Sequence, residues 1–228
     1  MLKKIAAGIL LLSMSALAHA DYIVTDSEVD GAEMTGMEVT VTFADGSMDS
    51  GFWATTSMDG LVPNWEGFAG AASGTDWMLS QAGYTEGNVS GDDILGIWTL
   101  MNDSAQAITG FSIDALAGGV AFDVILTPEV TPSSQGGKPF IAFIGDTVSG
   151  GSEVTTVTAA LSDKLAVAYD DLFGTLMVMF DTGSELASNA SINFWIDTDK
   201  VMKVSAPSTV GVLLMGLFLA ARISRKKG

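Results

Sequence analysis

The chain has 228 residues, with 27 Asp and Glu, 10 Lys and Arg, a single His and no Cys. The lack of Cys excludes disulfides, thiolate nucleophiles and Cys-ligated metal sites. The single histidine, His19, lies close to the N-terminus, outside the segment that carries the acidic residues. Ser-His-Asp catalysis and His-ligated zinc or copper are therefore excluded for that segment.

The charge is concentrated in the middle of the chain. All 27 acidic residues lie between Asp21 and Asp199, and segment 21–203 contains four of the ten basic residues, which gives it a formal charge of −23. Nucleic acid is excluded as a partner, because phosphate binding depends on neutralisation by Lys and Arg. Such acidity favours solubility, divalent cations and a location outside the cell.

The N-terminus has the pattern of a secretory signal peptide. Lys3 and Lys4 form a positive region, an apolar stretch follows, and Ala18 and Ala20 provide a small-x-small cleavage site. We expect export through the Sec translocon and cleavage by signal peptidase before Asp21, so that residues 1–20 and His19 are removed. The alternative is an uncleaved N-terminal anchor.

The C-terminus, residues 204–228, has three parts. A short polar motif after Val204 is followed by the apolar run Val210–Ala221 and by a basic end that begins at Arg222. The apolar run has twelve residues, whereas a spanning helix needs about 20. Snorkelling of Arg222 and the small residues Ala206–Thr209 would extend it to a spanning helix with its basic end in the cytoplasm.

This order of parts resembles the PEP-CTERM sorting domain of Gram-negative bacteria. The residues that match its sorting motif are Ser205, Ala206, Pro207, Ser208 and Thr209, with Arg222 after the apolar run. The family's Pro-Glu-Pro is Ser-Ala-Pro here, so its last Pro is kept. The resemblance implies recognition by an exosortase-type enzyme at the inner membrane, followed by transfer to the cell surface or secretion. A plain C-terminal membrane anchor is the alternative.

The remaining segment, 21–203, is long enough for one domain and is predicted to be all-β, an antiparallel β-sandwich of the jelly-roll type. Val39, Val41 and Phe43 alternate with polar residues, and Asp45-Gly46 predicts a hairpin turn to a partner strand through Gly51 to Thr55. Residues 56–75 are expected to be irregular, and the pattern over 77–90 is weak. Further strands are expected at Ile94–Met101 (buried on both faces), Ile108–Ile113, Val120–Leu126, Phe140–Ile144, Val154–Leu161, Leu165–Tyr169, Leu172–Phe180 and Ile192–Ile196.

The stretch from Ile94 to Lys200 is similar to the passenger domains of many PEP-CTERM proteins. The similar blocks are Ile97–Asn102, Ile108–Asp114, Val120–Asp123, Asp170–Leu176 and Phe194–Asp199. The resemblance implies an extracellular β-sandwich associated with exopolysaccharide and biofilm, mostly without assigned chemistry.

Two groups of residues are candidates for binding. Asp197 and Asp199 have the same parity in an extended segment, so their carboxylates would project together and, with loop carbonyls, ligate calcium. Solvated strand-end residues are the alternative. Trp195 alternates with the apolar residues Ile192, Phe194 and Ile196, which places it with Asn193 and Asp197 on a polar face suited to stacking against a sugar ring. Burial of Trp195 under a loop or a second sheet is the alternative.

These observations favour an exported, non-enzymatic protein with a structural or adhesive role in exopolysaccharide or biofilm. A carbohydrate-binding module, assisted by calcium, is the alternative function. A carboxylate glycosidase is a distant third, since the sequence selects no acid and base pair from the 27 candidates.

Overall fold

The computed structural model describes residues 22–26, 29–56, 69–85, 96–124, 140–144, 152–153, 156–165 and 172–204. The chain divides into two compact units. One, Val24–Met202, contains the fold described below; of the other, Met1–Ile23 with Lys203–Gly228, the outer ends of two strands are described. The predicted signal peptide with its cleavage site and the predicted sorting tail lie outside the described residues.

The described part of the chain is all-β, as the sequence predicts. Its strands are β1 Tyr22–Asp26, β2 Glu38–Phe43, β3 Met48–Phe52, β4 Ala54–Thr56, β5 Ala69–Gly74, β6 Trp77–Ala82, β7 Ile97–Asn102, β8 Ile108–Asp114, β9 Val120–Asp123, β10 Ile141–Ile144, β11 Ser152–Glu153, β12 Val157–Lys164, β13 Leu172–Phe180, β14 Ala190–Trp195 and β15 Asp197–Lys203. Two 3-10 turns, Gly31–Met34 and Leu116–Gly118, are the helical elements among the described residues. None of the helical segments in these ranges is long and apolar enough to cross a membrane.

The strands form two antiparallel sheets. The eight-stranded sheet has the order β1-β15-β9-β13-β8-β2-β3, with β12 also paired to β13. The seven-stranded sheet has the order β11-β10-β14-β7-β6-β5-β4. Strands β14 and β15 follow each other directly in sequence but belong to different sheets, so the chain passes from one sheet to the other at Ile196.

One hydrophobic core is shared by the two sheets. Phe194 on β14 has its ring centroid 5.8 Å from Trp98 on the neighbouring strand β7 and 5.5 Å from Phe111, which lies on β8 of the other sheet. Phe140 is a further neighbour at 5.2 Å. Because aromatic pairs at these separations combine a large buried area with favourable ring geometry, this cluster joins the two sheets.

Several predictions from periodicity are confirmed. β13 has the predicted bounds Leu172–Phe180, and β2 alternates between buried and half-buried residues. The predicted hairpin joins β2 to β3, with Gly46 at a φ of 83°, a conformation that glycine adopts without strain. Trp98 is buried, as its parity with Leu100 indicates.

Other predictions need correction. The sequence predicts a strand at Ile94–Met101 that is buried on both faces, but the residues of β7 alternate between buried and half-buried. Segment 56–75 contains β5, whose sequence is poor in β-formers. Small residues are required there by packing: a Cβ on Gly70 would clash with the Gly31 carbonyl and the Trp53 indole. β6 and β15 also form where the pattern was weak or unassigned.

The shared aromatic cluster leads to a stability prediction. Phe194→Ala removes a fully buried ring and should lower the free energy of unfolding by about 3–5 kcal/mol. The matched change Phe52→Ala, at a residue that is 68% exposed on β3, should cost much less. Chemical denaturation of both variants measures the difference; equal costs would contradict the central role of Phe194.

Candidate metal centre

Strand pairing brings three aspartates together at the start of β15. The register of β15 on β9 places Asp197 directly opposite Asp123. Asp199 lies two residues further along β15, and residues i and i+2 of a strand project to the same side. Opposite Asp199 the partner strand has Ala121, whose small side chain leaves room for the carboxylate.

The three carboxylates are close to one another and buried. One oxygen from each lies within 4.8 Å of the others. Asp123, Asp197 and Asp199 are 0%, 2% and 1% exposed. The prediction that Asp197 and Asp199 project together is confirmed, and the alternative that they are solvated strand-end residues is wrong.

The chemistry of this oxygen set suits a hard divalent cation. Calcium binds six to eight oxygens at about 2.3–2.6 Å, so its ligand oxygens lie up to about 5 Å apart. Carboxylates confined at such separations repel one another when ionised, more strongly in a buried site than in water. A bound cation would offset that repulsion, with main-chain carbonyls or water completing the coordination.

Thr85 and Thr198 orient the Asp197 carboxylate. The Thr85 hydroxyl donates to Asp197 Oδ1 at 3.0 Å, and the Thr198 amide donates to the same oxygen at 2.8 Å. The two threonine hydroxyls also lie 2.9 Å apart. The two donors to Oδ1 hold it in place and so contribute to the orientation of the carboxylate.

A second group of charges lies on the neighbouring 3-10 turn. Lys200, next to Asp199 in sequence, forms an ion pair with Glu33 at 2.8 Å. Asp30 caps the turn by accepting from the amides of Ala32 and Glu33. Burial raises the pKa of the Asp30 carboxyl, and the Ala32 amide opposes this shift. Lys200 is the described basic residue closest in sequence to the three aspartates, and it is thus paired with Glu33.

The predicted sugar-binding residues lie at the end of β14. Ile192, Phe194 and Ile196 are buried in the core, as predicted, and Trp195 is half-buried. The Trp195 ring packs edge-on against Phe143, with centroids 5.1 Å apart. Its indole Nε1 is buried without a hydrogen-bond partner among the described residues.

The surroundings of Asn193 and Asp197 in the structure differ from those of the polar face that the sequence predicts. Asn193 Oδ1 accepts a hydrogen bond from the Thr99 hydroxyl at 2.8 Å, on the adjacent strand of the same sheet. Asp197 does not continue this face, because the chain changes sheet at Ile196 and Asp197 starts β15. The structure therefore brings Asp197 together with Asp123 and Asp199, and separates it from Trp195.

Asp123 is the site residue that sequence reasoning does not single out. It ends β9, and its only local signal is an acidic residue directly after Val120-Ala121-Phe122. All four residues of β9 are buried, so local alternation does not mark the aspartate as part of a site. The pairing of β9 with β15 identifies it.

Comparisons with protein-family models, with curated proteins and with solved structures give no match. The residues and geometry of this chain are therefore the basis for its proposed function.

The Thr85 hydroxyl gives a test of how the cluster is held. Thr85→Val keeps the side-chain shape but removes the donor to buried Asp197, so it should lower the free energy of unfolding by about 1–3 kcal/mol. Thr158→Val, the same change on an exposed position of β12, is the control and should have little effect. Urea denaturation compares them; an unchanged stability in Thr85→Val would show that the hydroxyl does not support the cluster.

Proposed function

We propose that this chain is an exported, exosortase-sorted protein of the cell surface or extracellular matrix, with a non-catalytic structural or adhesive role in exopolysaccharide or biofilm. The observation that carries the proposal is the order of parts in the tail: the motif Ser205–Thr209, the apolar run to Ala221 and the basic end from Arg222. The N-terminal pattern that ends at Ala20 supports export by the same route. Its partners would be the Sec translocon, signal peptidase and an exosortase-type enzyme.

The all-β architecture is consistent with this role. We propose that the two sheets form a β-sandwich of the jelly-roll type, with 21–203 as the passenger domain. A core shared by two sheets is stable without disulfides, which suits a Cys-free chain of this length. The formal charge of −23 on segment 21–203 favours solubility outside the cell and association with divalent cations.

Carbohydrate binding assisted by calcium is the second candidate function. It is favoured by the three buried carboxylates of Asp123, Asp197 and Asp199, whose oxygens lie close enough together to bind one calcium ion, with further oxygens needed to complete its coordination. In this function the ion would hold β9 against β15, and the Trp195 and Asn193 surface would contact the sugar. The partial exposure of Trp195 supports that surface, whereas its buried indole Nε1 and the hydrogen bond from Thr99 to Asn193 limit the groups that a sugar could reach.

The sorting proposal is tested by the intact mass of the native protein from fractionated cells, with its C-terminal peptide mapped. We expect a chain that begins at Asp21, ends near Ser205–Thr209 and is recovered outside the inner membrane. A chain that still ends at Gly228 in the inner membrane would instead indicate a plain anchor, and the matrix role would have to be abandoned.

The calcium proposal is tested by thermal unfolding of the full chain in millimolar calcium and in chelator. If calcium is present at about 100 times its dissociation constant, the melting temperature should rise by roughly 5–10 °C. Asp199→Asn should lose most of this rise, whereas Asp181→Asn, at an exposed position, should keep it. A melting temperature that is the same in calcium and in chelator would eliminate the calcium site.

A further inference from the structure

An open pocket lies where three connections between strands meet. The β2–β3 turn, the β5–β6 turn and the β7–β8 connection surround a volume of about 420 Å³, within the range of roughly 300–1,000 Å³ typical of small-molecule sites. Its walls include Phe43, Met48, Asp49, Asp76, Ser104 and Gln106. It lies near Asn102, at the end of β7. Asn102 pairs with Ala190 at the start of β14, whereas Trp195 is at the other end of β14.

Hydrogen bonds between the connections hold the pocket in shape. Asp49 Oδ2 accepts from the Thr75 amide at 2.7 Å and from the Trp77 indole at 2.9 Å, which ties β3 to the β5–β6 turn. Gln106 Nε2 donates to Asp45 Oδ2 at 3.0 Å, which ties the β7–β8 connection to the β2–β3 turn. A site whose walls are already ordered loses less conformational entropy when a ligand binds.

The third connection is tied in the same way. The Asp103 amide donates to the Asp76 carbonyl at 2.8 Å, which joins the β7–β8 connection to the β5–β6 turn. Each of the three segments around the pocket is therefore bonded to both of the others.

The polar wall presents oxygens to a ligand. Asp49 lines the pocket, and its carboxylate accepts from the Thr75 amide and the Trp77 indole at Oδ2, with the Ser50 amide as a further donor. A carboxylate has about four lone-pair sites, so it keeps capacity to accept from a ligand hydroxyl. The hydrogen bond from the Thr75 amide is the main cause that lowers the pKa of the Asp49 carboxyl, and the bond from the Trp77 indole lowers it further. The Ser47 hydroxyl is the main cause that lowers the pKa of neighbouring Asp45 to about 2. Both carboxylates are therefore ionised at neutral pH, and that of Asp49, which lines the pocket, acts as an acceptor.

The pocket lining also includes apolar residues. These are Met48, which is 66% exposed, and the mostly buried Phe43. The thioether side chain of Met is polarisable and adapts to irregular surfaces, so it suits contact with the C–H face of a sugar ring. An apolar body beside a few placed polar groups is the usual composition of a site that selects and orients a small ligand.

The charge of the pocket selects among ligand classes. The described residues that line it include Asp49 and Asp76 and no Lys or Arg, so an anionic ligand would be repelled. A neutral ligand with several hydroxyl donors and an apolar face matches both the polar and the apolar lining residues. We propose that this pocket binds a neutral sugar residue of a polysaccharide, with hydroxyls donated to Asp49 and Asp76 and the ring packed on Met48. The proposal goes beyond the sorting and matrix role and does not depend on it or on the Trp195 surface.

The test is binding of the full chain to immobilised neutral oligosaccharides built from glucose, galactose, mannose and N-acetylglucosamine, with oligouronates as the anionic arm, all in chelator. We expect binding to at least one neutral series and none to the oligouronates. Met48→Ser and Gln106→Ala should each weaken that binding about three- to tenfold or more, because one removes the apolar contact and the other removes the hydrogen bond to Asp45 that holds the β7–β8 connection in place at the pocket.

Two further variants locate the binding. Met179→Ser changes a methionine that is 49% exposed on β13; it is the control and should bind as the wild type does. Trp195→Ala changes the surface at the other end of β14 and shows whether binding uses that surface instead. If the wild type binds no neutral oligosaccharide, the inference is overturned. It is also overturned if Trp195→Ala loses binding while Met48→Ser and Gln106→Ala keep it, a result that would support the second candidate function. The native C-terminus tests the sorting proposal separately.

Discussion

The packing of Phe194 against aromatic rings from both sheets is the contact on which the rest of the structure depends. It links β14 to Trp98 within its own sheet and to Phe111 in the other sheet. The Trp98 indole also donates to the Ile196 carbonyl at 3.1 Å. Together these contacts hold the chain at the point where it leaves one sheet, so the next residue, Asp197, enters the other sheet in a defined register.

That register has an electrostatic consequence. It places Asp197 and Asp199 beside Asp123, in a part of the fold where burial removes the water that would otherwise screen them. Ionised groups are kept in such surroundings when they are paired, hydrogen-bonded or bound to a metal. The donors from Thr85 and Thr198 to Asp197 supply part of this compensation, and a divalent cation would supply more. The acidic residues thus have two roles: most make the net charge more negative, and three form a localised oxygen-rich centre.

Features with binding chemistry lie at opposite ends of the seven-stranded sheet. Trp195 and its neighbour Phe143 are at one end, while the pocket near Asp49 and Gln106 is at the other. The pocket depends on connections between strands that the sheets hold in place, which is the usual division between a rigid scaffold and functional loops. A matrix protein with sugar contacts at separate ends would be able to link polysaccharide chains, a property that suits the proposed adhesive role.

Local sequence determined which segments are strands wherever the side chains alternate clearly. β2, its hairpin at Gly46 and β13 were predictable because a two-residue period marks the buried face. The export and sorting segments are also local patterns, and they stay predictions from the sequence. Asp197 and Asp199 were predictable as a pair for the same reason, since their spacing alone sets their common direction.

The tertiary structure decided what local periodicity cannot encode. Asp123 joins the site through the pairing of β9 with β15, and a strand's own sequence does not name its partner. β5 is a strand because Gly70 packs closely against Gly31 and Trp53, although its Ala, Gly and Ser residues have low β-propensity. The pocket likewise requires three turns from distant parts of the chain. The physical reason is common to all three cases: periodicity reports which side of a segment is buried, whereas the partner is selected by packing and hydrogen bonding across the fold.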